Sequence, residues 1–130
     1  MDKMEFKHQE SDNEVLLKTC ILSMAIEFWR MSKLLEHIIP QLDARNQSRY
    51  ISKVNWFIKK TNESLQSAGY HIENYENHSY DPGIPATPIN LDEFDSNENL
   101  YVTQMIEPVI MDSDGNVISS GTITVGRLQE

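Results

Sequence analysis

The sequence EVLLKTCILSMAIEFWRMSKLLEHII, residues 14–39, decides the predicted fold. Apolar residues recur in it at alternating spacings of four and three, which is the pattern of a helix with a heptad seam. The seam consists of Leu17, Ile21, Met24, Phe28, Met31, Leu35 and Ile38. Other apolar side chains cover further faces of the first half of the helix. A single partner helix cannot bury all of these faces. We therefore expect this helix to pack against a second helix and against another chain; a central helix of a larger intrachain bundle is the alternative.

A second helix is predicted from about Ser48 to Ala68, after Pro40 has kinked or ended the first. Its apolar residues keep one face, and Gly69 suits the positive-φ position that follows a helix. Trp56 lies off that face, so it either marks a contact surface or covers the chain that follows. Residues 14–69 are thus predicted to form a dimerising helical hairpin, after a flexible lead of residues 1–13.

The C-terminal part has the pattern of loops and strands. Residues 70–98 contain three prolines within seven residues and an acidic run, which predicts an ordered connecting loop. Residues 99–127 predict a β-hairpin, because strand-like segments flank the turn sequence DSDGN at 112–116. A lone hairpin is barely stable in water, so we expect it to dock on the helices or on a partner. The predicted fold class is therefore α+β, a long helical hairpin followed by a small C-terminal β-wing.

The net charge of −9 is unevenly distributed. Residues 1–70 hold ten Lys/Arg and nine Asp/Glu, whereas residues 71–130 hold one Lys/Arg and eleven Asp/Glu. An acidic half repels phosphate, so we expect no nucleic-acid partner. The basic residues of the middle segment could touch phosphate, but a solvated helix face is the favoured interpretation; they are Arg45, Arg49, Lys53, Lys59 and Lys60.

The sequence also bears on location. The single cysteine, Cys20, cannot form an internal disulfide, which fits a reducing compartment. The first fourteen residues are polar and charged, unlike a signal peptide. The longest apolar stretch, residues 20–29, contains Ser23 and Glu27 and is too short to span a membrane. We predict a cytoplasmic protein without a membrane partner.

No arrangement of residues indicates catalysis. The four histidines lack metal-binding spacing, and the calcium-loop-like start at Asp112 and Asp114 lacks its closing glutamate. There is no glycine-rich phosphate loop and no pattern of a nucleophile with a base. We therefore predict that the protein is not an enzyme, with no catalytic residue, no metal site and no cofactor.

Four motifs resemble, in their order and spacing, the GrpE-like nucleotide exchange factors of DnaK-type chaperones. They are LLEHIIPQLD at 34–43, SLQSAGY at 64–70, YDP at 80–82 and NVISSGTITV at 116–125. The resemblance covers roughly residues 30–126. The chain departs from the family in a proline-rich loop at 83–91. It also departs in the wing, where the family usually carries arginines and a Pro-Ala step and this chain has Asn116, Ser119, Ser120 and Gly121.

The resemblance implies a homodimeric cochaperone whose wing binds the nucleotide-binding domain of a DnaK-type ATPase and promotes ADP release. The implied partner-binding residues are Asp114, Asn116, Val117, Ile118, Ser119 and Ser120. Arginine at these wing positions would supply charged hydrogen-bond donors to the chaperone, and a side chain as small as serine cannot replace its guanidinium group. The missing arginines therefore favour an alternative function. In the alternative, the chain is a non-catalytic adaptor or assembly subunit that reuses the GrpE-like scaffold to bind another large protein.

Overall fold

The described part of the chain folds into two helices and six strands. The computed structural model describes residues 2–128, and the side chains of residues 11–128. The helices are α1 (Asp2–Ile38) and α2 (Ala44–Ser67), with a 3-10 turn at Ile39–Gln41 between them. The strands are β1 (Tyr70–Glu73), β2 (Ala86–Pro88), β3 (Leu100–Glu107), β4 (Val109–Asp112), β5 (Val117–Ser119) and β6 (Gly121–Arg127); a second 3-10 turn spans Leu91–Glu93.

The connection between the helices is held by local hydrogen bonds. Pro40 has no backbone N–H; α1 ends two residues before it, at Ile38, and Pro40 lies in the 3-10 turn that follows. Asp43 then caps α2, because its carboxylate accepts the N–H of Asn46 at 2.8 Å. The Gln47 amide donates to the carbonyl oxygens of Pro40 and Leu42, at 3.2 and 2.7 Å. At the other end, α2 stops before Gly69, whose φ of +88° favours glycine.

The prediction of a long helical hairpin was wrong. The helices are unequal, with 37 residues in α1 and 24 in α2. Among the described side chains they meet along the second half of α1, where the rings of Phe28 and Phe57 lie 5.4 Å apart and Leu65 packs with Ala25. Residues 11–20 are all exposed. The heptad pattern misled the prediction because it continues along α1 past the point where α2 can reach.

The C-terminal part also differs from the predicted hairpin, because it contains two three-stranded sheets. One has the order β1-β4-β5 and the other β2-β6-β3. Pro108 separates β3 from β4, and Ser120 separates β5 from β6, so the chain changes sheet at both places. Gly121 lies at the second corner, where a Cβ would come within 2.7 Å of the Glu107 carbonyl oxygen. Only glycine allows the backbone to approach so closely.

The core joins the wing to both helices. Val102, Met105, Val109 and Ile123 have no exposed surface and pack with Trp29 of α1. A second cluster places Ile110 against Ala25 of α1 and Leu65 of α2. The wing is therefore docked on the helices, as the marginal stability of an isolated hairpin requires. Neither helix in the described part of the chain has the length and apolar character needed to cross a bilayer.

Candidate functional site

A set of polar contacts fixes the wing on α1. The indole N–H of Trp29 donates to the Met105 carbonyl oxygen at 2.6 Å. The Glu76 carboxylate accepts the Met105 N–H at 2.9 Å and pairs with the Lys33 ammonium at 2.5 Å. That ammonium also lies 4.5 Å from the centroid of the Trp29 ring. We call Trp29, Lys33, Glu76 and Met105 the junction, because these residues set the orientation of the wing relative to α1.

The heptad seam divides into two rows on α1. Ile21, Phe28 and Leu35 are buried or half-buried. The others are spaced by seven residues and exposed: Leu17 at 63%, Met24 at 72%, Met31 at 49% and Ile38 at 40%. We call these four residues the α1 stripe. An apolar row of this length exposed to water is a characteristic of a protein–protein contact.

An apolar groove continues the α1 stripe toward α2. It has a volume of about 730 Å³ and lies between the two helices. Met24 and Met31 line it together with Phe28, Phe57 and Leu65. Since methionine adapts its shape to a partner, the groove and the stripe form one continuous surface suited to apolar association.

The turn at the tip of the wing is held by one carboxylate. Asp112 accepts the backbone N–H groups of Asn116 and Asp114, each at 2.9 Å, and the Asn116 side-chain amide at 3.1 Å. These bonds, those from Asn116 above all, hold the pKa of the Asp112 carboxyl below its usual value, and Lys18 adds a smaller effect. Gly115 supplies the positive φ, +84°, that the turn requires.

The implied partner-binding residues lie together at this tip. Asp114, Asn116, Val117 and Ser120 are exposed, while Ile118 and Ser119 are half-buried. β5 is the outer strand of its sheet, with β4 on one side only. An edge strand carries backbone N–H and C=O groups that no neighbouring strand uses, which a partner can bind.

Sequence analysis missed several residues that shape this region. Glu76 lies in a segment predicted only as a connecting loop, and nothing local marked it as the partner of Lys33, forty-three positions away. The Asn90 side chain exchanges two hydrogen bonds of 2.9 Å with the backbone of Val125. β2, which lies in the same predicted loop, pairs in parallel with β6 of the wing. The proline-rich segment is thus anchored to the wing.

The titratable groups give little indication of chemistry. Burial, with a smaller effect of Glu73, raises the pKa of the Tyr75 phenol above its ordinary value. Among the described residues, no group of three His, Cys, Asp or Glu side chains is arranged to hold a metal ion.

Comparison with known proteins does not supply a family for this chain. No family model, no curated protein and no solved structure matches it. The junction, the α1 stripe and the wing tip are therefore the features on which a function has to be argued.

Proposed function

We propose that this chain is a GrpE-like nucleotide exchange factor, a homodimeric cochaperone of a DnaK-type ATPase. The observation that carries the proposal is the exposed wing tip, held by the junction at a fixed orientation on a long helix. That arrangement suits a protein that acts by binding and moving another protein. The single exposed cysteine fits a reducing compartment, so we propose that it acts in the cytoplasm.

The wing is the surface that binds the chaperone. The β5 edge and the turn at Asp114–Asn116 dock on the nucleotide-binding domain and bind its open form more tightly than its closed form. Binding of the wing shifts the nucleotide-binding domain toward its open form, by as much as the wing's affinities for the open and closed forms differ. ADP leaves from that open form. This mechanism requires no catalytic side chain.

The α1 stripe and the groove are the dimer surface. Leu17, Met24, Met31 and Ile38 of one chain meet the same residues of a second, which removes two rows of apolar side chains from water. Complete burial of one such side chain stabilises by roughly 1.5–3 kcal/mol. Even partial burial of both rows therefore offers several kcal/mol toward association, against the entropy that two chains lose.

The test is the rate of ADP release. A fluorescent ADP analogue is loaded on each DnaK-type chaperone of the source cell and chased with ATP, with and without the protein. We expect faster release with wild type and loss of at least half of that acceleration with Val117→Asp, which puts a carboxylate on the wing tip. Ile89→Asp is the matched control, since Ile89 is 58% exposed and lies in the loop that follows β2.

Two results of this experiment would contradict the proposal. One is an unchanged release rate from every chaperone at saturating protein. The other is an equal loss of activity in Val117→Asp and Ile89→Asp, because then the wing tip would have no special role. Thermal unfolding of both variants checks that they are folded.

The adaptor function remains the second candidate, and one observation favours it. Arg127 is the only Lys or Arg after residue 70, and it pairs with Glu98 at 3.1 Å, away from the tip. The wing tip therefore offers a chaperone no guanidinium group. An affinity pull-down from the native cells, with and without ATP, separates the candidates. A DnaK-type chaperone that ATP releases supports exchange, whereas another large protein that is indifferent to ATP supports the adaptor.

A further inference from the structure

The outward face of α2 carries a straight row of cationic and aromatic side chains. Arg45, Arg49, Lys53, Trp56 and Lys60 follow one another at spacings of four, four, three and four, and all are exposed. Such spacing keeps the side chains on one side of a helix, and fifteen residues rise about 22 Å. We call these five residues the α2 row. It lies away from Phe57 and Leu65, by which α2 packs on α1.

The positive charge of the α2 row is hardly compensated within its helix. α2 holds five of the eleven Lys/Arg of the chain but only one of its twenty Asp/Glu, a net of +4 in a protein of net −9. The one carboxylate, Glu63, lies beyond the row and pairs with Lys60 at 3.4 Å. A solvated helix face usually interleaves both signs, so this segregation favours a contact surface.

Trp56 adds a large apolar side chain to the row, between Lys53 and Lys60. Its side chain is 63% exposed, so it does not serve to cover the chain that follows α2. The Lys60 ammonium lies 6.0 Å from its ring centroid, at the limit of a cation–π contact. Tryptophan and arginine are the residues that most often dominate binding energy at protein interfaces.

We propose that the α2 row binds an acidic helical segment of another protein. Carboxylates at spacings of three and four on such a helix would face the cations of the row, and its apolar residues would cover Trp56. A nucleic acid fits less well because its phosphates continue past the row. They would then meet the six Lys/Arg and nineteen Asp/Glu that the rest of the chain carries. This proposal stands apart from the exchange-factor function.

Fluorescence anisotropy with a designed probe tests the proposal. The probe is a fluorescein-labelled peptide, (EAALEAA)3, and its neutral match is (QAALQAA)3, both at low ionic strength against the full chain. We expect the acidic peptide to bind at least about ten-fold more tightly than the neutral one, with an affinity that falls as salt rises.

Two pairs of variants locate the contact. Lys53→Glu is expected to weaken binding of the acidic peptide about five-fold, whereas Lys18→Glu, the same charge change on α1, leaves it within two-fold. Trp56→Ala is expected to weaken it about ten-fold, and Trp56→Phe less. Circular dichroism confirms that each variant is folded.

Other outcomes overturn the proposal. These are no binding of the acidic peptide, equal effects of Lys53→Glu and Lys18→Glu, or no effect of Trp56→Ala. Tighter binding of a twenty-nucleotide oligo-dT than of the acidic peptide would assign the row to nucleic acid instead. A wild-type self-association that Lys53→Glu abolishes would assign it to a second copy of this chain.

Discussion

Replacing Glu76 by alanine tests the junction on which the orientation of the wing depends. The Glu76 side chain is 15% exposed and that of Lys33 is 20% exposed, so water screens their ion pair only partly. The same carboxylate accepts the N–H of Met105, a residue with no exposed surface. Alanine therefore removes an ion pair and leaves a buried N–H without an acceptor.

The size of the effect follows from these two losses. An unsatisfied buried N–H costs about 1–3 kcal/mol. Loss of a half-buried charged hydrogen bond adds about 1 kcal/mol, at the low end because Lys33 keeps Glu36 at 3.2 Å. We expect Glu76→Ala to lower the free energy of unfolding by about 3 kcal/mol. Glu76→Gln, which keeps the acceptor for Met105, should lower it by about 1 kcal/mol.

Equilibrium unfolding in urea measures these changes. With a slope near 2 kcal/mol per molar, a loss of 3 kcal/mol moves the midpoint by about 1.5 M. Glu36→Ala is the matched control, because it removes the other carboxylate of Lys33, 55% exposed, and should cost under about 0.5 kcal/mol. If Glu76→Ala and Glu36→Ala shift the midpoint equally, the junction does not hold the wing as described.

Three further variants test the dimer surface, the sheet corner and the tip. Met24→Glu should turn a dimer of about twice 15.0 kDa by light scattering into monomers, while Val15→Glu, on another face of α1, should not; a monomeric wild type would refute the dimer. Gly121→Ala should lower the free energy of unfolding by about 2–4 kcal/mol, because the new Cβ clashes with the Glu107 carbonyl oxygen. Gly83→Ala should lower it by less than about 1 kcal/mol, since its Cβ meets only the Asp81 side chain, at 3.4 Å; thermal unfolding compares the two variants. Folding lowers the pKa of Asp112, so the ionised carboxylate stabilises the fold above the unfolded-state pKa of 3.8, and this stabilisation is lost as pH falls through the folded-state pKa. Asp112→Asn should therefore flatten the pH dependence of the melting temperature below about pH 4. An unchanged slope would contradict this.

The sequence predicted the features that depend on neighbours along the chain. The apolar periodicity of residues 14–39 indicated the first helix, the apolar face of residues 48–68 the second, and the glycine at 69 the end of the second. The Asp-Gly pair at 114–115 indicated the turn between β4 and β5. Each depends on a local preference, of an apolar repeat for a helix or of glycine for positive φ.

Features that depend on distant contacts escaped the sequence analysis. β2 is three residues long within a proline-rich segment, and its partner β6 begins more than thirty residues later. In the junction, Lys33 of α1 pairs with Glu76, which lies in a loop whose sequence has no periodic pattern. The heptad seam was predicted as one surface, but packing of α2 against Phe28 buries part of it and leaves Met24 exposed. Periodicity shows which residues share a helix face, not what covers them.

The positions of the junction and the α1 stripe on one helix have a consequence for function. Each residue of an α-helix turns by about 100°, so Lys33 lies about 180° around α1 from Met24, and Trp29 about 140° from it. The wing docks on the side of Lys33 and Trp29, nearly opposite the stripe. Two chains that meet along their stripes would therefore hold their wings on the outer sides of the pair, without covering either tip. Met24→Glu should accordingly separate the two properties, giving a monomer whose wing keeps its thermal stability and its contact with a partner; loss of the wing fold together with the dimer would show that the two surfaces are not independent.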